Sequence, residues 1–242
     1  MQLSTLFTCA LVSTTIASAQ GLPNALVTDT AGDSIWLLSD LNANGDYNDA
    51  GEVGLFFNDL GGTIDLTNNA GILRSDDGAV WVSDTTEDFV LRLIDLNQDG
   101  DAFDANEATI WFDGTAGNPS GVELTSGRGM WRDTDGVFWV ASANTGGGGN
   151  DAIVRLEDVN GDGDANDAGE QLEYFVIAPG GAVGDSIPAA VSRGADGAIY
   201  YVETGSSGVV TKGVWRLEDL DASGTIDQPG EATLFHTVSA LP

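Results

Sequence analysis

Residues 153–170 read IVRLEDVNGDGDANDAGE, an apolar run leading into a loop whose oxygen-bearing side chains fall at every second residue. Counting Asp158 as position 1, Asn160 and Asp162 stand at 3 and 5, Gly163 at 6, Asp164 at 7, Asp167 at 10 and Glu170 at 13. Three further stretches align with it without gaps: IWLLSDLNANGDYNDAGE (35–52), VLRLIDLNQDGDAFDANE (90–107) and VWRLEDLDASGTIDQPGE (214–231). Their first loop aspartates, Asp40, Asp95, Asp158 and Asp219, are 55, 63 and 61 residues apart, and a period of this size marks a repeat architecture. A short strand-like run follows each loop: VGLFF, ATIWF, QLEYF and ATLFH.

A second pattern lies between the loops. GILRSDDGAVWVSDT (71–85), GMWRDTDGVFWVASA (129–143) and AAVSRGADGAIYYVET (189–204) each set Asp-Gly between two apolar stretches, a strong short-range hairpin signal. The unit is therefore a strand, a DG turn, a second strand, a variable loop, a third strand, an acidic loop and a fourth strand. No helical period is sustained. Four antiparallel strands per unit of about 60 residues describe a β-propeller blade. The expected fold is all-β: a propeller of about four four-stranded blades, with the acidic loops between strands three and four. The units are expected at 24–60, 61–117, 118–180 and 181–242, in one domain over 20–242. Asn24–Asp29 matches a second strand, so the first blade lacks one strand. Unpaired sheet edges are templates for strand addition, and association of the chain with itself is expected there.

The alternating oxygens suit a calcium ion. This hard cation takes six to eight oxygen ligands at about 2.3–2.6 Å. The loop core places them around the ion, and a glycine turns the chain. In the third copy Asp158, Asn160, Asp162, Asp164, Asp167 and Glu170 are the candidate ligands, Asp164 through its backbone carbonyl. The first copy offers Asp40, Asn42, Asn44, Asp46, Asp49 and Glu52, and the second Asp95, Asn97, Asp99, Asp101, Asp104 and Glu107. The fourth offers Asp219, Asp221, Ser223, Thr225, Asp227 and Glu231, with its late aspartate at position 9 instead of 10. Two amides among its first three ligands make the first copy the weaker binder. Up to four calcium ions are expected, and the last ligand is the Asp at 9 or 10, the Glu at 13, or both.

These loops resemble those of EF-hands, dockerins and integrin-type propellers, through the D-x-[DN]-x-[DNS]-G core present in all four. No helical pattern flanks them, and the closing Glu falls at position 13, where the EF-hand has 12. The blade strands DGAVWVSDT and DGAIYYVET are similar to gluconolactonase-like and NHL-type propellers. That resemblance implies an alternative function, a lactonase or hydrolase with one catalytic divalent metal in the central channel of six blades. The acidic loops here are instead equivalent by repeat and sit at strand connections.

Composition narrows the rest. Thirty-eight acidic against 8 basic side chains give a formal net charge of −30, which repels nucleic acid and anionic membranes over roughly 8–10 Å. No nucleic-acid partner and no membrane span are expected. Residues 1–19, MQLSTLFTCALVSTTIASA, carry no charged side chain and end in Ala17-Ser18-Ala19, a signal-peptide pattern. The expected location is secreted and extracellular, or periplasmic in a bacterium. Cys9, the only cysteine, lies inside that segment, so disulfides do not hold the rest of the chain together. A metal ion is the remaining cross-link.

Catalytic groups are few. His236 is the only histidine and Lys212 the only lysine, and neither belongs to a recognisable constellation. Thr145–Asn150, TGGGGN, reads as a surface loop without the lysine of a phosphate loop. Arg74, Arg132 and Arg193 each precede a DG turn by three residues, and Arg92, Arg155 and Arg216 each precede a loop aspartate by three. Recurrence in each unit assigns them to pairing with acidic neighbours. Trp81, Trp139 and Tyr201 are expected at one address in the second strand, and Trp36 and Trp215 at one in the third, as inter-blade core. The expected function is a calcium-stabilised extracellular repeat protein with a structural, adhesion or self-assembly role. An extracellular glycan or protein is a further expected partner, and calcium-dependent glycan binding an alternative function.

Overall fold

A computed structural model describes residues 24–60, 62, 64–118, 120–143, 151–177, 187–204 and 212–237. The signal-like segment 1–19 and the glycine run 145–150 lie outside them. The strands fall into four antiparallel sheets in chain order. Blade 1 holds β1 (Ala25–Asp29), β2 (Ser34–Leu38) and β3 (Val53–Asn58). Blade 2 holds β4 (Asn69–Arg74), β5 (Val80–Asp84), β6 (Phe89–Leu93) and β7 (Ala108–Asp113). Blade 3 holds β8 (Gly127–Arg132), β9 (Phe138–Ser142), β10 (Asp151–Leu156) and β11 (Gln171–Ile177). Blade 4 holds β12 (Pro188–Arg193), β13 (Ile199–Glu203), β14 (Gly213–Leu217) and β15 (Ala232–Thr237). These are β-propeller blades, and the first has three strands.

The Asp-Gly pairs close the hairpins as their chemistry requires. Gly136 donates its amide to the Asp133 carbonyl at 3.2 Å, and Asp133 pairs back to Val137 at 2.9 Å. Gly136 sits at φ +94, a left-handed conformation that glycine adopts without a Cβ penalty. The same bonds form at Ser75–Ala79 and Gly194–Ala198.

The fourth strand of a blade carries a β-bulge. Ile35 pairs Phe57 while Trp36 pairs Leu55, so Phe56 is the extra residue. Tyr174 is the extra residue of β11 and Phe235 that of β15. A bulge removes one residue from the ladder and leaves its backbone groups to find other partners.

The chain forms two compact units: one takes the described residues up to Glu87 with Leu91–Ile110, the other Asp88–Val90 with the described residues from Trp111 onward. In the first unit β1 lies beside β4. In the second, blades 3 and 4 stack face to face and bury one apolar cluster. Trp139, Ile153 and Phe175 enter it from blade 3, and Tyr201, Trp215 and Leu217 from blade 4. Register corrects one sequence expectation. Trp139 lies opposite Arg155 and Tyr200 opposite Arg216, so Tyr200, and not Tyr201, shares the address of Trp139. Tyr201 faces the other way and is fully buried against blade 3.

The first strands of blades 3 and 4 approach backbone to backbone. A Cβ on Gly129 would stand 2.7 Å from Ala190 Cα and 2.8 Å from the Ala189 carbonyl oxygen. Neither atom can give way without moving a strand. Gly129→Ala is therefore expected to cost about 1–3 kcal/mol, read as a lower urea midpoint at unchanged slope.

Candidate metal centres in the acidic loops

All four acidic loops join the third strand of a blade to its fourth, and they share one internal geometry. The position-1 aspartate accepts from the loop backbone: Gly45 donates to Asp40 Oδ2 at 3.0 Å, Gly100 to Asp95 at 3.0 Å, Gly163 to Asp158 at 3.0 Å and Gly224 to Asp219 at 2.8 Å. The position-3 side chain accepts from the amide at 5, at 2.8–3.0 Å in the four loops. These bonds wind the chain so that side-chain oxygens at 1, 3 and 5 turn to the same side. The position-6 glycine makes the turn, at φ between +89 and +103.

The glutamate at position 13 has a role that its spacing did not disclose. Glu52, Glu107, Glu170 and Glu231 are buried to 1–2% exposure while most of the loop is exposed. Glu170 accepts the amides of Val159 and Asn160 on Oε1 at 3.0 and 3.3 Å, and that of Asp167 on Oε2 at 3.0 Å. Glu52, Glu107 and Glu231 span their loops in the same way. This carboxylate pins the start of the loop to its end, and the spacing of 13 serves that reach.

The late aspartate faces the early amide. Asn42 Nδ2 donates to Asp49 Oδ2 at 2.7 Å and Asn160 Nδ2 to Asp167 Oδ2 at 2.7 Å, and Asn97 bonds Asp104 likewise. Positions 3 and 10, seven residues apart, thus meet at the mouth of the loop. In the first loop, oxygens of Asp46, Asp49 and Glu52 lie within 4.8 Å of one another, and in the fourth those of Asp219, Asp221 and Glu231 do. Oxygens converging on one point suit a hard divalent cation. Asp227, at position 9, bonds Gln228 Nε2 at 3.0 Å.

Backbone amides also set the charge state of the fourth loop. The Gly224 amide, followed by that of Ser223, holds Asp219 below its ordinary 3.8. The Gln228 amide, with those of Leu220 and Asp227, holds Glu231 below its ordinary 4.5. Both groups contribute stability above those ordinary values and lose it as the pH falls through the lowered ones.

Each loop also reaches beyond its own blade. The amide at position 8 bonds the carbonyl of a bulge residue on the preceding blade: Ala102 to Phe56 at 2.9 Å, Ala165 to Trp111 at 2.8 Å and Ile226 to Tyr174 at 2.8 Å. Asn166 adds a side-chain bond to the Asp113 amide at 2.8 Å. The aromatic at the bulge stands 16 residues after the position-1 aspartate in every unit, the signal from which these contacts were readable.

The arginines take two kinds of partner. Arg155 pairs with Glu157, Arg216 with Glu218 and with Asp196 at 3.0 Å, and Arg193 with Asp133 at 3.0 Å. Arg92 lies over the Trp81 ring at 5.8 Å and Arg132 over Phe138 at 5.4 Å. Lys212 and His236 are exposed.

No protein-family profile and no curated protein matches this chain. Solved structures do. A putative gluconolactonase aligns with TM-score 0.50 and 14% identity over 88% of this chain and 59% of its own. Virginiamycin B lyase from Staphylococcus aureus aligns with TM-score 0.47 and 17% identity over 81% of this chain and 49% of its own. Regucalcin from Agrobacterium tumefaciens, a calcium-binding protein, aligns with TM-score 0.42 and 17% identity over 74% and 48%. The chain therefore spans less than two thirds of each of these proteins. At such identities the likeness is one of fold.

The buried clamp and the exposed ligands separate in their expected effects. In metal-free buffer Glu170→Ala is expected to cost about 2–3 kcal/mol, because several backbone amides lose a charged acceptor. Exposed Asp162→Ala is expected to cost under about 1 kcal/mol. Urea unfolding of both variants in chelator measures the difference.

Proposed function

We propose that this chain is a secreted calcium-binding repeat protein in which the ions stabilise the stacking of blades, in a structural, adhesive or assembly role outside the cell. The observation that carries this reading is the position-8 bond. The same loop that gathers the oxygens holds its blade to the one before it, so a cation that orders the loop also fastens the stack. The ligands are Asp40, Asn42, Asn44, Asp46, Asp49 and Glu52 and their equivalents in the other three loops. Asp46, Asp101 and Asp164 contribute at position 7, with Thr225 in the fourth. Glu at 13 serves first as the clamp, and its remaining lone pairs face the site.

Magnitudes support a structural ion. Extracellular calcium modules bind at about 10⁻⁴–10⁻³ M. At about twenty times the dissociation constant each site adds roughly 2 kcal/mol. Four such contributions are comparable to the whole stability of a domain, about 5–15 kcal/mol. The five carboxylates of the third loop, Asp158, Asp162, Asp164, Asp167 and Glu170, repel one another until a cation is bound. In a chain of net charge −30 that repulsion is not offset by nearby lysines.

The alternative is a lactonase or hydrolase, and its support is the fold shared with a putative gluconolactonase. A candidate carboxylate for it, Asp84, is buried and already accepts the amides of Thr67, Asn68, Thr86 and Glu87. That makes it a turn-forming residue and favours the first reading.

Calcium titration by calorimetry, with thermal melts in calcium and in EGTA, tests the proposal. Saturating calcium is expected to raise the melting temperature by ten degrees or more (about 2–4 °C per kcal/mol at this chain length), and Asp158→Ala with Asp162→Ala to remove one site's share. Melts that ignore calcium sink this reading. Turnover of a lactone dependent on a divalent ion favours the alternative.

A further inference from the structure

Blade 3 shows what the trailing side of a blade does. Its Trp139, Ala141, Ile153 and Phe175 are buried under blade 4, and the carbonyl of its bulge residue Tyr174 takes the Ile226 amide. Register carries the same side onto blade 4. Tyr200, Val202, Val214 and His236 stand where blade 3 has those four residues, and Phe235 stands where it has Tyr174. Even the ring contact recurs edge to face, with Trp139–Tyr174 centroids at 4.8 Å and Tyr200–Phe235 at 5.2 Å.

The two sides differ in their cover. Ala141 is 0% exposed and Phe175 8%, whereas Val202 is 36%, Leu234 39% and Phe235 64% exposed. The bulge residues Phe56 and Trp111, at the address of Phe235, are 6% and 4% exposed. An apolar side built to receive a blade therefore faces solvent, and exposed patches of this kind mark interaction surfaces.

The repeat also says what such a side receives: the leading side of another blade. On blade 4 that side is Tyr201, Trp215 and Leu217, with Ile226 from the loop. Blade 1 carries Val27, Trp36 and Leu38 at the addresses of the first three, and Tyr47 at the loop position of Ile226. All four are half-buried, where their counterparts on blade 4 are buried.

We propose that the trailing side of blade 4 docks the leading side of blade 1 of a second copy, head to tail, in the register in which Tyr174 receives Ile226. The interface is heterologous, so it closes into a ring or propagates according to the rotation it imposes. The proposal rests on the calcium reading in one respect. Two copies of charge −30 repel, and the docking loop 40–52 is acidic, so association requires its cation.

Light scattering coupled to size exclusion, in saturating calcium, tests it. The wild-type chain is expected at two or more copies. Phe235→Glu, on an exposed ring where the fold tolerates a charge, is expected at one copy, as is Trp36→Glu. Mixing the two variants is expected to restore a two-copy species, since each supplies the side the other lacks. A merely destabilising substitution would not be rescued in this way. A Phe235→Glu variant that still associates overturns the docking. A single-copy wild type whose melt responds to calcium overturns it as well, and leaves the calcium reading standing. A single-copy wild type with a calcium-blind melt overturns both.

Discussion

One backbone hydrogen bond, from the amide at position 8 of an acidic loop to the carbonyl of a bulged aromatic, joins local chemistry to the stacking of blades. It exists because two irregularities coincide. The bulge takes a residue out of the ladder and turns its carbonyl outward, while the loop winding brings its own amide out on the far side of the oxygen cluster. A buried backbone group without a partner is costly, so each irregularity is tolerated only because the other answers it. The buried glutamate stands behind this bond: by clamping the loop's two ends it fixes where the position-8 amide lies. Ion, clamp and bulge thus form one mechanical chain from the solvent-exposed loop to the apolar contact between blades.

Charge and packing divide the work in this molecule. With 38 acidic side chains and 8 basic ones, the surface cannot be neutralised from within, and the few arginines are spent near the turns and third strands. Arg216 alone bonds Asp196, Glu218 and the Tyr200 hydroxyl. Exposed ion pairs of this type are worth little individually. They orient strand ends, while apolar clusters such as that between blades 3 and 4 supply the cohesion. Much of the remaining negative charge is gathered into loops whose geometry suits a cation.

Much of this was legible in the sequence, and for identifiable reasons. Strand order and hairpins followed from Asp-Gly punctuation between apolar runs, because turn chemistry is local. The loops followed from a spacing that recurs four times. The purpose of the position-13 glutamate was not legible, since reaching back to amides eleven residues earlier depends on how the loop coils in space. Nor was the address of the tyrosine in AIYYV: two adjacent tyrosines fit either face by hydropathy, and only pairing against Arg216 assigns Tyr200 to the outer one. The arginines over Trp81 and Phe138 were read as partners of acids. Stacking over a ring leaves no spacing signature of its own.

The interval from the position-1 aspartate to the bulged aromatic is 16 residues in all four units, whereas the distance between successive units runs from 55 to 63. Everything between aspartate and bulge is geared: adding one residue there would turn the aromatic to the opposite face of its strand and uncouple the blade from its predecessor. Length variation is confined to the connections elsewhere in the unit, such as that from the second strand to the third, where TGGGGN stands in the third copy. The chain is in this sense a ruler with rigid divisions and elastic gaps. Foreign peptides spliced into those gaps would leave the divisions in step, which makes the same economy of design a route to displaying new sequences on an unchanged frame.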